Sequence, residues 1–275
     1  MKIRTIVRET SNLLEWRNIP TKTKDLVLDV GSGDNPHVRA DILCDAHLMD
    51  SEERSGKYDL IIDGRPFVFA DACKLPFRDK AFDFIICRHL LEHMDNPAAL
   101  LKELMRVGKA GYIESPSSLM ERLYGWNFHR LLIDHEKDCL VIRPKLKDEE
   151  FGILPDEIKR DPYWGKLVET NQDSFLISYF WRHQIRYRTE GIFQEEVDRK
   201  FEEFSTIPKP TLRRRLRWLI TKSVRLFVAR PRFAMEDILV CPECRADVQT
   251  EKKQVVCPQC QTIYSIVSKN CYKFC

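Results

Sequence analysis

The stretch Leu26-Val27-Leu28-Asp29-Val30-Gly31-Ser32-Gly33 constrains the fold more than any other in the chain. Its apolar run reads as a buried strand, and the two glycines let backbone approach something closely. Only ten residues separate Val30 from Asp41, where the next strand is expected. A parallel crossover normally takes a dozen or more, so little more than one helical turn fits. A dinucleotide fold wants Gly-x-Gly-x-x-Gly opening a full helix whose N-terminus holds the pyrophosphate. No such helix fits after Gly33. A phosphate-binding P-loop is excluded more simply, since no Gly-Lys-Ser/Thr follows.

Further strands are expected at Asp41–Cys44, Phe67–Ala70, Phe82–Cys87 and Gly111–Glu114. A helix is expected between the last two. Asn96 suits its N-cap, Pro97 its first turn, and Leu100, Leu101, Leu104 and Val107 form one apolar stripe before Gly108. Strands alternating with connecting segments imply an α/β fold with a mostly parallel sheet. From Phe175 to Tyr187 apolar residues alternate with a face that becomes Arg182, Gln184, Arg186 and Arg188, which predicts a long antiparallel strand at the end of the sheet. Residues 145–174 between them read as an insertion. They either cover a site or form a surface loop with one buried aromatic pair, Tyr163-Trp164. Residues 1–20 read as a short leading helix stopped at Ile19-Pro20.

At 275 residues, one large domain with a small appendage fits the length. With 43% hydrophobic residues and no apolar run near ~18, no spanning helix is predicted. The charged N-terminus lacks a signal-peptide core, so the cytoplasm is the expected compartment.

The segments "LVLDVGSG", "ADILCD", "FVFADACKLPF", "FDFIICRHLLEHMDNPAALLKELMRV" and "GKAGYIESP" resemble, in order, motifs of the class I S-adenosyl-L-methionine (AdoMet)-dependent methyltransferases. Within them they resemble the ubiquinone- and menaquinone-pathway group. The resemblance spans roughly residues 24–116. It implies a Rossmann-like doubly wound sheet with AdoMet across the carboxyl ends of the first strands. It further implies that Asp29, Gly31, Ser32 and Gly33 form the loop around the methionine part, that Asp45 binds the ribose hydroxyls, and that Asp71 and Ala72 flank the adenine. Arg88 and His89 then face cofactor and substrate. Two features depart from the family: Asn35 replaces the third glycine, and the first connecting helix is nearly absent. They leave Asp41 as a competitor to Asp45. We prefer Asp45, which ends its strand on the ligand-binding edge.

Methyl transfer from a sulfonium is an in-line displacement that gains most from positioning. An oxygen acceptor also needs a base, and histidine supplies one near neutral pH. His89 and His129 are the candidates. His93 and Glu92 read as structural, as in the resembling family. A His89–His93 metal pair lacks an apparent third ligand.

Near the C-terminus, Cys241-x2-Cys244 and Cys257-x2-Cys260 are separated by twelve residues, a spacing that closes a tetrahedral thiolate site. Zinc is favoured over iron, because Arg245 and Gln261 stand where rubredoxin-like knuckles carry glycine. The segment resembles small zinc-ribbon proteins that activate methyltransferases acting on RNA and protein, here tethered in cis. Nine Lys or Arg and no acid lie between Lys209 and Phe233; taking those nine from the overall +3 leaves the rest at −6. This basic segment reads as a linker helix, a peripheral membrane contact or an RNA contact.

The expected organisation is therefore a methyltransferase domain over 1–208, a basic linker over 209–234 and a zinc ribbon over 235–275. The expected acceptor is a small molecule, glycan or lipid-linked intermediate, methylated on oxygen or carbon. The alternatives are an RNA or protein methyltransferase, and a non-catalytic AdoMet-binding scaffold.

Overall fold

The computed structural model describes residues 19–48, 60–146, 149–193 and 233–275, together with Leu219 and Ser223. Residues 1–18 of the leading helix expected over 1–20 and, those two residues apart, residues 209–232 of the basic segment lie outside the described residues. Strands β1 (Val27–Val30), β2 (Ile42–Asp45), β3 (Phe67–Phe69), β4 (Phe84–Arg88) and β5 (Ala110–Pro116) run parallel in the order β3-β2-β1-β4-β5. The order reverses between β1 and β4, the crevice where open α/β sheets take ligands. Leu28, Val30, Ile42, Cys44, Val68 and Ile85 fill the core on one face, and Val27, Leu43, Phe67, Phe69 and Phe84 fill the other. Burial on both faces is why these strands read as continuous apolar runs. Helix α1 (Pro97–Val107) connects β4 to β5; the Asn96 side chain accepts from the Ala99 N–H at 3.0 Å and fixes its start.

The link from β1 to β2 contains turns and no helix over residues 31–41. Hydrogen bonding replaces the helix. The Gly31 and Ser32 N–H groups both donate to the Cys44 carbonyl, at 2.9 and 3.0 Å. Below them Arg65, paired with Asp63 at 2.6 Å, donates to the His37 and Ala40 carbonyls at 2.7 and 3.0 Å. A buried guanidinium thus satisfies carbonyls that a helix would have bonded internally.

After β5 comes helix α2 (Ser118–Tyr124) and then a hairpin of β6 (Leu131–Glu136) and β7 (Cys139–Pro144). The insertion carries three short helices, α3 (Asp156–Arg160), α4 (Pro162–Thr170) and α5 (Gln172–Phe175). Of its expected buried aromatic pair only Trp164 packs, against Phe175, donating its indole N–H to the Tyr124 hydroxyl at 2.6 Å. Tyr163 is 82% exposed. Strand β8 (Leu176–Arg182) is the antiparallel end strand, paired along β5 with Ile177, Tyr179 and Trp181 buried. The long strand expected to reach Tyr187 breaks at His183, whose φ of 65° turns the chain out of the sheet. Strand β9 (Tyr187–Thr189) instead joins β7 in a second sheet, ordered β6-β7-β9.

The C-terminal segment is a meander of β10 (Gln249–Glu251), β11 (Gln254–Val256), β12 (Ile263–Ser268) and β13 (Cys271–Lys273). Strand β13 pairs parallel with β3, so meander and main sheet form one ten-stranded sheet, β10-β11-β12-β13-β3-β2-β1-β4-β5-β8. The Phe67 N–H donates to the Asn270 carbonyl and the Phe274 N–H to the Phe69 carbonyl, both at 2.8 Å. Leu239, Val255, Tyr272 and Phe274 belong to the same apolar core as Leu75 and Phe77. The result is a Rossmann-like, mostly parallel sheet with an antiparallel end strand and a small cysteine-bearing ribbon.

Candidate functional site

Three acids, Asp29, Asp45 and Asp71, stand at or just past the C-terminal ends of β1, β2 and β3. Asp29 is 2% exposed, and its carboxylate accepts from the His37 N–H at 2.7 Å, so it shapes the loop from within. Gly31 and Gly33 both adopt left-handed backbone, with φ of 71° and 50°. A Cβ on Gly31 would also lie 3.1 Å from Leu90 Cβ, so only glycine lets the loop after β4 approach. Asp45 ends β2 and accepts from the Gly33 N–H at 2.9 Å, tying the glycine loop to the neighbouring strand tip. Asp41 sits at the other end of β2, where it accepts from the Val27 N–H and from Arg39 at 3.1 and 2.9 Å. The two competing acids therefore occupy opposite edges of the sheet, and Asp45 is on the crevice side.

Asp71 lies just past β3, whose Phe69 is in register with Asp45, and accepts from the Cys73 N–H at 2.8 Å. Ala72 beside it is buried. Burial pushes the Cys44 thiol up, and the negative charges of Asp45, Cys275, Asp71 and Asp29 push it the same way. The Ser32 hydroxyl is buried with no hydrogen-bond partner among the described residues. A polar atom left so in a glycine loop fits a ligand that brings its own hydrogen-bonding groups.

The loop after β4 supplies the facing wall. Arg88 donates to the Asn35 carbonyl at 2.8 Å, which fastens the wall to the glycine loop. His89 has a φ of 52°, strained for a residue with a Cβ. Its Nδ1 lies 3.2 Å from Glu92 and its Nε2 3.3 Å from Glu114. The side chain is 43% exposed; its partial burial opposes charge on the ring, yet the hydrogen bonds to Glu114 and Glu92 raise His89 to about 9. Both carboxyls fall to about 2 despite their own burial, with His89 as the main lowering influence. The ring is therefore an imidazolium at neutral pH. That suits fixing a charge at the mouth of the crevice; it does not suit abstracting a proton.

Behind this wall lie His93 and His129, each 4% exposed, with ring centroids 4.8 Å apart. Burial holds His93 down to about 4, so its ring is neutral. His93 Nδ1 faces the Phe128 carbonyl at 3.2 Å. His129 Nδ1 lies 2.6 Å from Glu121, which is itself paired with Lys145 at 2.6 Å. Glu114, Glu121, Ser115 and Lys145 escaped sequence reasoning. The only signal was an acid ending the apolar run of "GYIES", and nothing in the sequence pairs it with His89.

In the ribbon the four cysteine sulfurs all lie within 4.8 Å of one another, with Cys241–Cys260 at 3.5 Å and Cys244–Cys257 at 3.4 Å. The last residue of the ribbon returns to the crevice: the Cys275 thiol donates to the Ala46 carbonyl at 3.7 Å.

Residues 28–113 match the family model described as a methyltransferase domain. No curated protein matches the chain. Solved structures similar to it include a candidate methyltransferase of Bacillus halodurans, at 17% identity over 44% of this chain and 68% of that one, TM-score 0.31. A SAM-dependent methyltransferase of Methanosarcina mazei shares 16% identity over 46% and 73%, TM-score 0.32. A chain from the complex between the Haloferax volcanii Trm112 methyltransferase activator and a candidate methyltransferase shares 13% over 66% and 94%, TM-score 0.41.

Proposed function

We propose that this chain is an AdoMet-dependent methyltransferase acting on a small-molecule, glycan or lipid-linked acceptor through oxygen or carbon, with a zinc ribbon built into its catalytic sheet. One observation carries the AdoMet reading: Asp29, Asp45 and Asp71 stand at or just past the C-terminal ends of β1, β2 and β3, around a left-handed Gly31–Gly33 loop that Asp45 ties to β2 and that holds a buried Ser32 hydroxyl with no partner among the described residues. AdoMet, when bound, supplies an electrophilic methyl on a sulfonium. Gly31 and Gly33 admit the methionine part to the loop that Asp29 shapes. Asp45 accepts from the ribose diol, which presents two donors to one carboxylate. Asp71 and Ala72 border the base. Arg88 locks the wall to the glycine loop, and the His89 imidazolium orients the acceptor's polar groups against Glu92 and Glu114.

The acidic lining favours a cation and disfavours a dinucleotide pyrophosphate, which also lacks a helix N-terminus here. The oxygen or carbon preference rests on "CRHLLEH" after β4, where an Asn-Pro-Pro-Tyr-type element would suit amino groups.

For the ribbon, four thiolates fit zinc: bonds of ~2.3 Å set tetrahedral sulfurs ~3.8 Å apart, against 3.5 and 3.4 Å for Cys241–Cys260 and Cys244–Cys257 and at most 4.8 Å for the other pairs. Its role is to staple β10–β13 so that β13 can complete the edge of β3.

Labelled AdoMet incubated with cell extract, then split into small-molecule, lipid, RNA and protein fractions, tests the acceptor. Label in the first two supports the reading. Label in RNA or protein overturns the acceptor class, and AdoMet binding without label in any fraction leaves a scaffold in place of an enzyme.

A further inference from the structure

We propose that Glu92, His93 and His129 form a binding site for a divalent transition metal, distinct from the four cysteines of the ribbon. The sequence offered only His89 and His93, four apart, with no third ligand. The fold changes the set. Both nitrogens of His89 are engaged by Glu92 and Glu114, while the segment before β6 brings His129 against the turn Leu91–His93. One donor atom from each of Glu92, His93 and His129 then lies within 4.8 Å of the others, and all three residues are at least nine-tenths buried.

Two further observations separate this group from a packed core. Each histidine turns Nδ1 outward to a fixed acceptor, His93 to the Phe128 carbonyl at 3.2 Å and His129 to Glu121 at 2.6 Å. For His129 this is the arrangement that orients a metal-ligating imidazole and leaves Nε2 as the ligand. And His129 Nε2 is buried with no hydrogen-bond partner among the described residues. A histidine buried only for packing satisfies both nitrogens or leaves one to water; this one is buried in a cluster with a second imidazole and a carboxylate. Lys145 holds Glu121 in place at 2.6 Å, so the outer partner is itself anchored.

The donor set selects the metal. Two imidazoles and one carboxylate suit zinc, iron(II) or cobalt(II), whereas magnesium and calcium want all-oxygen surroundings. Bonds of ~2.0–2.2 Å need the donors to close by roughly 1 Å, within reach of side-chain rotation. Three protein ligands leave a position open, as in sites that bind a further oxygen donor. Glu92 also touches His89 at 3.2 Å and Ser115 at 3.1 Å, so the ion would sit one residue behind the wall of the cofactor crevice.

The test does not depend on methyl transfer. Metal-free full-length protein is titrated with cobalt(II), followed by absorbance and by metal analysis after dialysis. Two equivalents are expected. One shows intense thiolate-to-cobalt absorption from the four cysteines, and the other shows only weak ligand-field bands of nitrogen and oxygen ligation. His129→Gln and Glu92→Gln should each abolish the second while the thiolate signal remains as proof of folding. Glu121→Gln, outside the ligand set, should weaken it by roughly 10- to 100-fold. A single equivalent in the unaltered protein overturns the site whatever the variants do. So does retention of two equivalents by a folded His129→Gln protein.

Discussion

His89 shows how a neighbour on another strand decides what a side chain can do. Its place just after β4 suggests a base, but β4 pairs with β5 so that Arg88 meets Glu114, and that carboxylate lands on the ring. With Glu92 on the other side, the imidazole is raised to about 9. A raised histidine contributes stability that is complete below the ordinary value of 6.5 and is lost as pH rises through about 9. Glu92 and Glu114, lowered to about 2, contribute stability present above 4.5 and lost as pH falls through about 2. The triad's contribution to stability is thus complete from about pH 4.5 to 6.5. In the metal-free protein, NMR titration should find the His89 ring protonated at pH 7.5 with a midpoint near 9. A midpoint below 7 would restore it as a base. The advantage of wild type over His89→Gln in unfolding free energy should shrink across pH 6.5 to 9, and a flat difference would contradict the pairing.

At the scale of elements, the parallel strands and α1 were legible to within a residue or two, because apolar runs and the Asn96-Pro97 start signal are local properties. The β6–β7 hairpin was not. Its turn at Lys137-Asp138 carries no glycine, although Lys137 takes a φ of 56°, and its apolar runs, Leu131–Ile133 and Leu140–Ile142, are too short to show period. The break at His183 was equally hidden, since alternation continues through it on both sides. Asp29, Asp45 and Asp71 were legible as acids at or near strand ends, while the contacts of Glu114 and Glu121 depend on register and were not. The ribbon's Arg245 is informative in another way. It sits at a φ of 63°, where glycine is cheaper, yet its guanidinium donates to the Leu75 carbonyl at 2.8 Å and to Glu103 at 3.0 Å. Docking the knuckle onto α1 offsets a backbone strain of about 1 kcal/mol. Thermal unfolding should therefore rank wild type above Arg245→Gly, and Arg245→Gly above Arg245→Ala, which keeps the strain and loses the contact. A glycine variant more stable than wild type would show that the contact contributes nothing.

Across the whole molecule, the C-terminal segment behaves as an edge of the main sheet. Its strand β13 satisfies the outer hydrogen bonds of β3, and its apolar residues close the core over Leu75 and Phe77. Arg78 reinforces the seam, pairing with Asp247 at 2.6 Å and donating to the Asp237 carbonyl at 2.9 Å. Metal removal should therefore destabilise more than the ribbon. Chelation, or truncation before residue 235, should lower the melting temperature of the entire sheet and weaken AdoMet binding, because Asp45 and Asp71 flank the strand that loses its neighbour. A chelated protein that keeps both its melting temperature and its AdoMet affinity would reduce the ribbon to an appendage.

The most direct measurement is calorimetry of AdoMet and its demethylated product binding to the full chain and to Asp45→Ala. Both ligands should bind the unaltered protein, and loss of the ribose contacts should weaken each by about tenfold or more, ~1.4 kcal/mol. Absence of binding by the unaltered protein, or equal affinity in the variant, would contradict a nucleoside held by acids at the strand tips.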